Sequence, residues 1–193
     1  VCTAFKPLEE LFLYPPRFFV SNPTLKNFTD LMTVTSNTTV PFTRYLFNTI
    51  LITVAYLFLL ILVSTMACYP LSKHKFPGKN GLFSLVTTAL MFITAATAVP
   101  SYLITNALHL PNTYWVYIIP GLASPTALFL MKQFLDQVPN DIFEAGKIDG
   151  ASEWQLYTKI AIPLLRNAQA TVIILSFGGI WSESGTAATY IYD

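Results

Sequence analysis

The chain has 193 residues, of which 53% are hydrophobic, 15% aromatic and 11% charged, against about 25% charged in an ordinary soluble domain. Mean hydropathy is +0.53. A formal net charge of +1 gives no bulk attraction for a polyanion, so nucleic acid is not an expected partner.

The charges are placed unevenly. No Asp or Glu stands between Asp30 and Asp136, and a carboxylate at the centre of a membrane helix costs roughly 2.5–3.5 kcal/mol. A membrane core explains the gap. Cys2 and Cys68 lie far apart without metal-ligand spacing and read as two unpaired small apolar residues. The chain starts at Val1 without a basic, then apolar, leader and stops just after an apolar run, which predicts a piece of a longer protein.

Residues 1–44 carry Pro7, Pro15, Pro16, Pro23 and Pro41, which break any long helix. This stretch is expected to be an external loop region with a short amphipathic element. The uncharged run 45–71 is the first predicted span, since about 20 apolar residues cross the hydrocarbon core. A second span is predicted over 81–104, with Pro100 near its end, and a third over 114–131. Pro120, Gly121 and Pro125 predict a kink or break in the third. A fourth runs over 162–181, with Gly178 and Gly179 near its end. The loop 72–80 carries Lys73, Lys75 and Lys79, the segment 132–166 carries Lys132, Lys147, Lys159 and Arg166, and the loop 105–113 carries no basic residue. By the excess of basic residues on the cytoplasmic side, both basic segments lie inside. The fold class expected is therefore all-α, a polytopic transmembrane helical bundle with four spans in this chain and a core over 45–193.

The segment 137–163 is the informative one. Pro139-Asn140-Asp141 opens a helix, with Asp141 and Glu144 at capping-box spacing. Asp149-Gly150 closes it, glycine supplying the left-handed residue that ends helices. Ser152 and Gln155 form a second capping pair for a following helix, and Pro163 stands at the junction with the fourth span. Phe143, Trp154, Leu156 and Tyr157 are apolar residues in a polar loop. Two readings stay open for them: a docking surface, or packing on the loop's own membrane base.

Glu144-Ala145-Gly146-Lys147-Ile148-Asp149-Gly150-Ala151, followed after a further stretch by Ile160-Ala161-Ile162-Pro163, resembles the EAA loop of binding-protein-dependent ABC importer permeases. Gly146 stands where the family pattern has alanine, which predicts a less stiff first helix by about 1 kcal/mol, and Ile162 stands for leucine. The runs Asn112-Thr113-Tyr114-Trp115, Leu122-Ala123-Ser124-Pro125, Met131-Lys132-Gln133-Phe134 and Lys75-Phe76-Pro77-Gly78-Lys79-Asn80 are similar to the carbohydrate (maltose-type) branch of that family. The resemblance implies a permease of about six spans in the bacterial cytoplasmic membrane, importing sugars or oligosaccharides. It implies a second permease subunit, an ATP-binding subunit dimer and an extracytoplasmic solute-binding protein as partners, within a lipid bilayer. ATP and Mg would be bound by the ATP-binding partner, with no cofactor in this chain.

The resemblance also assigns roles. Glu144, Ala145, Gly146, Asp149, Gly150, Ala151, Trp154, Tyr157, Ile160 and Pro163 are the expected coupling residues toward the ATP-binding subunit. Bulk at Gly150 is expected to block the turn and the close approach. Glu144 either pairs with a basic group on the partner or serves as a solvated acid near a helix N-terminus. Trp181, Ser182 and Glu183 are candidate substrate-pathway residues, where relatives carry Trp-Asn-Asp, although Trp is also enriched at bilayer interfaces without a ligand. Tyr102, Asn106 and Gly178-Gly179 are further pore candidates.

Other chemistry finds little support. Gly78-Lys79 lacks the phosphate-cradling frame of a P-loop, and His74 and His109 have no metal-ligand neighbours. Glu144 and Asp149 come without a nucleophile or ligand set. A permease for a non-sugar solute is the alternative within transport. A membrane-embedded enzyme would need intramembrane acid or histidine clusters, and 45–131 has no Asp or Glu.

Overall fold

The computed structural model describes residues 2–7, 10, 12, 20, 22–36, 41–92 and 94–191. Among them there are helices and no strand. The chain divides into two compact units, Val1–Ile50 and Leu51–Asp193. In the first, a short turn at Cys2–Phe5 and helix α1 (Lys26–Ser36) are joined by the Asn27 side-chain amide, which donates to the Ala4 and Lys6 carbonyls at 2.9 and 2.7 Å. Phe5 and Phe28 add a ring contact at 5.5 Å.

Helix α2 (Phe42–Lys73) is the long apolar helix of the chain. Uncharged from Tyr45 to Ser72, it carries Pro70 one turn from its end, where the Met66 carbonyl loses its i+4 donor. In the second unit its two faces differ. Leu60, Ser64, Cys68 and Leu71 are buried, at helical spacing along one stripe. Val54, Phe58, Leu62 and Met66 form another stripe, apolar and exposed, a surface suited to lipid.

The second predicted span is two helices, α3 (Lys79–Ala89) and α4 (Thr94–Ala107), with Leu90, Met91 and Phe92 in a turn between them. Hydropathy registers that this stretch is apolar and carries no mark of where the backbone turns, because neither Gly nor Pro stands at the break. Pro100 lies within α4 without ending it. The expected break in the third span falls at Ala123-Ser124, between α5 (Trp115–Leu122) and α6 (Pro125–Asp136), whose axes differ by 46°. Ser124 Oγ accepts from the Ala127 N–H at 3.3 Å and Pro125 occupies the first turn, a start signal that restarts the helix after the break.

The cytoplasm-assigned segment holds α7 (Asn140–Ile148) and α8 (Glu153–Leu164). The middle of α8, Leu156–Ala161, is wound as a π-helix, a widening that the sequence did not announce. After Leu165 the chain turns by 66° into α9 (Arg166–Trp181) and ends in α10 (Gly185–Tyr190). By length and composition, among the described residues α2 can cross a membrane, and the bent pairs α5/α6 and α8/α9 raise the number to three if each is one span. Four were expected; α3 and α4, which occupy the second, are each shorter than the roughly 20 residues that cross the hydrocarbon core.

One core holds the second unit together. Leu60, Cys68 and Tyr69 of α2 meet Ala127, Met131 and Leu135 of α6, Phe143 of α7, Leu156, Tyr157 and Ala161 of α8, then Leu165, Ala168 and Val172. Burial at 157, 161, 165, 168 and 172 continues a single helical stripe through the bend, which keeps α8 and α9 on the same core.

Candidate functional site

The knuckle of α7 and α8 is built by its local chemistry. The N-cap of α7 is Pro139, which makes no side-chain cap bond. The expected Asp141–Glu144 box is therefore absent: Asp141 lies two residues past the cap, in the first turn, where its charge favours the helix N-terminus instead. The end of α7 follows expectation. Gly150 has φ +80; its N–H donates to the Lys147 carbonyl and the Ala151 N–H to the Gly146 carbonyl, both at 3.0 Å. Those two bonds make a Schellman closure, a conformation that glycine adopts without a Cβ penalty. At the start of α8 both halves of the capping box form, the Gln155 N–H to Ser152 Oγ at 3.3 Å and the Ser152 N–H to Gln155 Oε1 at 2.8 Å.

Gly150 takes the expected left-handed role, and nothing within this chain lies within 4 Å of a Cβ built on it. At Gly146 a Cβ would stand 2.6 Å from Leu156 Cδ2 and 3.1 Å from Ile160 Cδ1. Glycine there seats α7 against α8; the loss of helix propensity is offset by that contact.

Of the four apolar residues, Phe143, Leu156 and Tyr157 are buried and only Trp154 is exposed, at 63%. Of the two readings left open, packing on the loop's own base describes three of them, because the turn at Gly150 folds α7 onto α8 and α2, and surface display describes Trp154. Tyr157, expected at a surface, sits against Tyr69 with ring centroids 5.7 Å apart and bonds Thr65 Oγ1 at 2.9 Å. The large apolar residues displayed outward from α7 and α8 are Ile142, Trp154, Leu164 and Ile148, the last 86% exposed. Glu144, Ala145, Asp149 and Pro163 are exposed, while Ala151 and Ile160 are partly buried against the core.

Glu153 was not singled out by sequence, and it gathers three side-chain partners. Lys147 Nζ lies 2.9 Å from its Oε1, and the Tyr69 hydroxyl donates to its Oε2 at 2.9 Å. His74 Nε2 is 3.3 Å from the same oxygen. The Lys147 hydrogen bond, followed by that of Tyr69, holds the Glu153 carboxyl below the usual range. A shallow cleft of about 190 Å³ lined by Met66, Tyr69, Glu153, Trp154 and Tyr157 opens beside it. Tyr69 and Glu153 are 84 residues apart in the chain, and no local pattern marks such a pair.

The substrate-pathway candidates lie at the far end of α9 from the knuckle. The Trp181 ring stacks on Phe177 at 5.3 Å. Ser182 Oγ donates to the Gly178 carbonyl at 2.9 Å, and Glu183 Oε1 accepts the Thr186 N–H at 2.9 Å. One Glu183 oxygen thus serves the start of α10. Tyr102 stacks on Tyr190 at 5.5 Å, and Asn106, Gly178 and Gly179 are exposed. Among the described residues no group of His, Cys, Asp and Glu could hold a metal ion.

Protein LplC of Bacillus subtilis is 38% identical over 129 residues, 67% of this chain and 43% of the relative. The arabinooligosaccharides transport system permease protein AraQ of Halalkalibacterium halodurans is 31% identical over 136 residues, 70% of this chain and 49% of the relative. The chain thus spans about half the length of these relatives. A crystal structure of a bacterial ABC transporter involved in the import of the acidic polysaccharide alginate superposes with TM-score 0.74 at 19% identity, covering 100% of this chain and 66% of that one, and so shares the fold. The model of the family described as binding-protein-dependent transport system inner membrane component matches residues 21–191. The chain belongs to that family of membrane transport components.

Proposed function

We propose that this chain is part of a permease subunit of an ATP-driven importer that moves oligosaccharides into a bacterial cell. The observation that carries the reading is the knuckle. Two short helices are locked by a Schellman closure and a complete capping box, and they display Trp154 and Ile148 outward. Exposed apolar side chains on a stiff support fit a protein partner better than water. The partner is an ATP-binding subunit dimer, which holds ATP and Mg and carries out hydrolysis; this chain is a transport component and not an enzyme. Its closure pushes the knuckle, and the displacement switches the helices between inward-open and outward-open states. Glu144, exposed beside this surface, offers a carboxylate to a basic group of the partner, and Gly150 lets the turn present its open side.

In this reading residues 137–163 face the cytoplasm and 1–44 face outside, in a multi-pass arrangement in the cytoplasmic membrane. A second permease subunit completes the pathway, and an extracytoplasmic binding protein delivers solute near Trp181, Ser182 and Glu183. Oligosaccharide as the solute class is supported by what the AraQ relative and the alginate importer are described as transporting. The test is ATP-dependent uptake by the assembled complex in proteoliposomes, with labelled arabino-oligosaccharides, disaccharides, amino acids and inorganic ions. Uptake confined to saccharides is expected. Uptake of amino acids or ions alone overturns the solute class, and equal uptake without ATP overturns the coupling.

A further inference from the structure

The last turns of α2 are bonded to the knuckle on both of its flanks. Thr65 is 1% exposed, and its Oγ1 donates to the Ile61 carbonyl at 2.8 Å. That uses its one proton, so Tyr157 of α8 donates to Thr65 Oγ1 across 2.9 Å. One turn further along α2, the Tyr69 hydroxyl donates to Glu153 Oε2. Ser72 Oγ donates to Asp136 Oδ1 at 2.6 Å, and Lys73 Nζ donates to the Val138 carbonyl at 2.6 Å and to Asn140 Oδ1 at 3.1 Å. Residues 65–73 of α2 thereby hold residues 136–140 at the entry to α7 and residues 153 and 157 after it. Leu60, Cys68, Phe143, Leu156 and Ala161 fill the space between them without exposed surface, Phe143 alone reaching 4%.

We infer that α2 and the knuckle move as one body, clamped by Tyr157–Thr65, Tyr69–Glu153 and Lys73–Asn140, so that displacement of the knuckle becomes a tilt of α2. This rests on the reading of the knuckle as the surface that an ATP-binding subunit pushes. The covalent route from α8 into α9 turns through 66° at Leu165, and a bent strut transmits an axial push poorly. The clamp gives a straight route into a helix of 32 residues. The Tyr157–Thr65 hydrogen bond is buried and resists shear, because sliding would leave its polar atoms without water or partner, while the partly buried Tyr69–Glu153 and exposed Lys73–Asn140 bonds fix the register beside it. Thr65, Tyr69, Lys73, Glu153 and Tyr157 are positioning residues: they fix where the push is delivered.

The test uses the assembled complex in two ways. Lys75 and Lys159 are exposed and outside the clamp. Replaced by cysteine in a Cys2→Ser background, with Cys68 buried, they take spin labels for pulsed EPR with and without trapped ATP. The clamp predicts a label separation constant within about 2 Å; a change of a helical turn, about 5 Å, overturns it. Tyr157→Phe keeps the ring and leaves Thr65 bonded to Ile61. Combined with Tyr69→Phe, it is expected to lower solute moved per ATP on the order of fivefold, measured with the saccharide taken up best in the uptake panel, while ATP hydrolysis continues. Unchanged solute moved per ATP refutes the clamp. Failure of the docking reading shows elsewhere, as loss of cross-linking between Trp154 and the ATP-binding subunit in the parent complex.

Discussion

Gly146→Ala places two opposing effects in one residue. Alanine in mid-helix gains about 1 kcal/mol of helix propensity over glycine. The added Cβ stands 2.6 Å from Leu156 Cδ2 and 3.1 Å from Ile160 Cδ1. Leu156 is fully buried, so its methyl turns aside only by displacing packed core atoms, and overpacking of this kind costs about 1–3 kcal/mol. The steric cost outweighs the gain in propensity, and the variant is expected to lose about 1 kcal/mol net. Leu156→Val shortens the side chain that the new methyl meets, and alone costs about 1 kcal/mol for the lost packing. In the double variant the clash is relieved, so the two losses fail to add, with a coupling of about 1 kcal/mol or more in favour of the pair. Chemical unfolding of the chain in detergent micelles gives all four corners of the cycle. A Gly146→Ala variant more stable than the parent by about 1 kcal/mol, with additive effects of Leu156→Val, would refute the close-contact reasoning and return this glycine to a mere weak point of α7.

Other outcomes follow from the same geometry. Gly150→Asn, which tolerates the left-handed conformation, is expected to insert and transport near the parent level, whereas Gly150→Trp inserts but loses uptake and solute-stimulated ATP hydrolysis; equal uptake by the two rules out an occluded partner surface. Gly121→Ala puts a Cβ 2.6 Å from Tyr56 Cε2 and is expected to cost about 1–3 kcal/mol, with rescue by Tyr56→Leu; unchanged unfolding of the single variant contradicts this. Ser152→Ala removes the capping box and should lower stability by about 1 kcal/mol, while Ser152→Thr restores most of it; equal stability of parent and Ala variant counts against a capped α8.

What the sequence showed clearly was local. The Schellman closure at Gly150, the Ser152–Gln155 box and the break before Pro125 each follow from a few neighbouring residues, and all three are present. The interruption between Ala89 and Thr94 was illegible because its residues are ordinary helix formers in an apolar run, and no punctuation marks the turn. The clash site at Gly146 needed knowledge that α7 folds back on α8, and the partners of Glu153 come from positions 69, 74 and 147. Apolar residues in the loop looked alike in one dimension. Only the fold separates Trp154, facing out, from Tyr157, facing Thr65.

A photo-reactive amino acid at position 154, in the full importer complex, probes the proposed contact directly. Irradiation is expected to give a covalent adduct with the ATP-binding subunit, strengthened when ATP is trapped. Adducts only with lipid or with the extracytoplasmic binding protein would contradict the proposal that this knuckle takes the push of ATP hydrolysis.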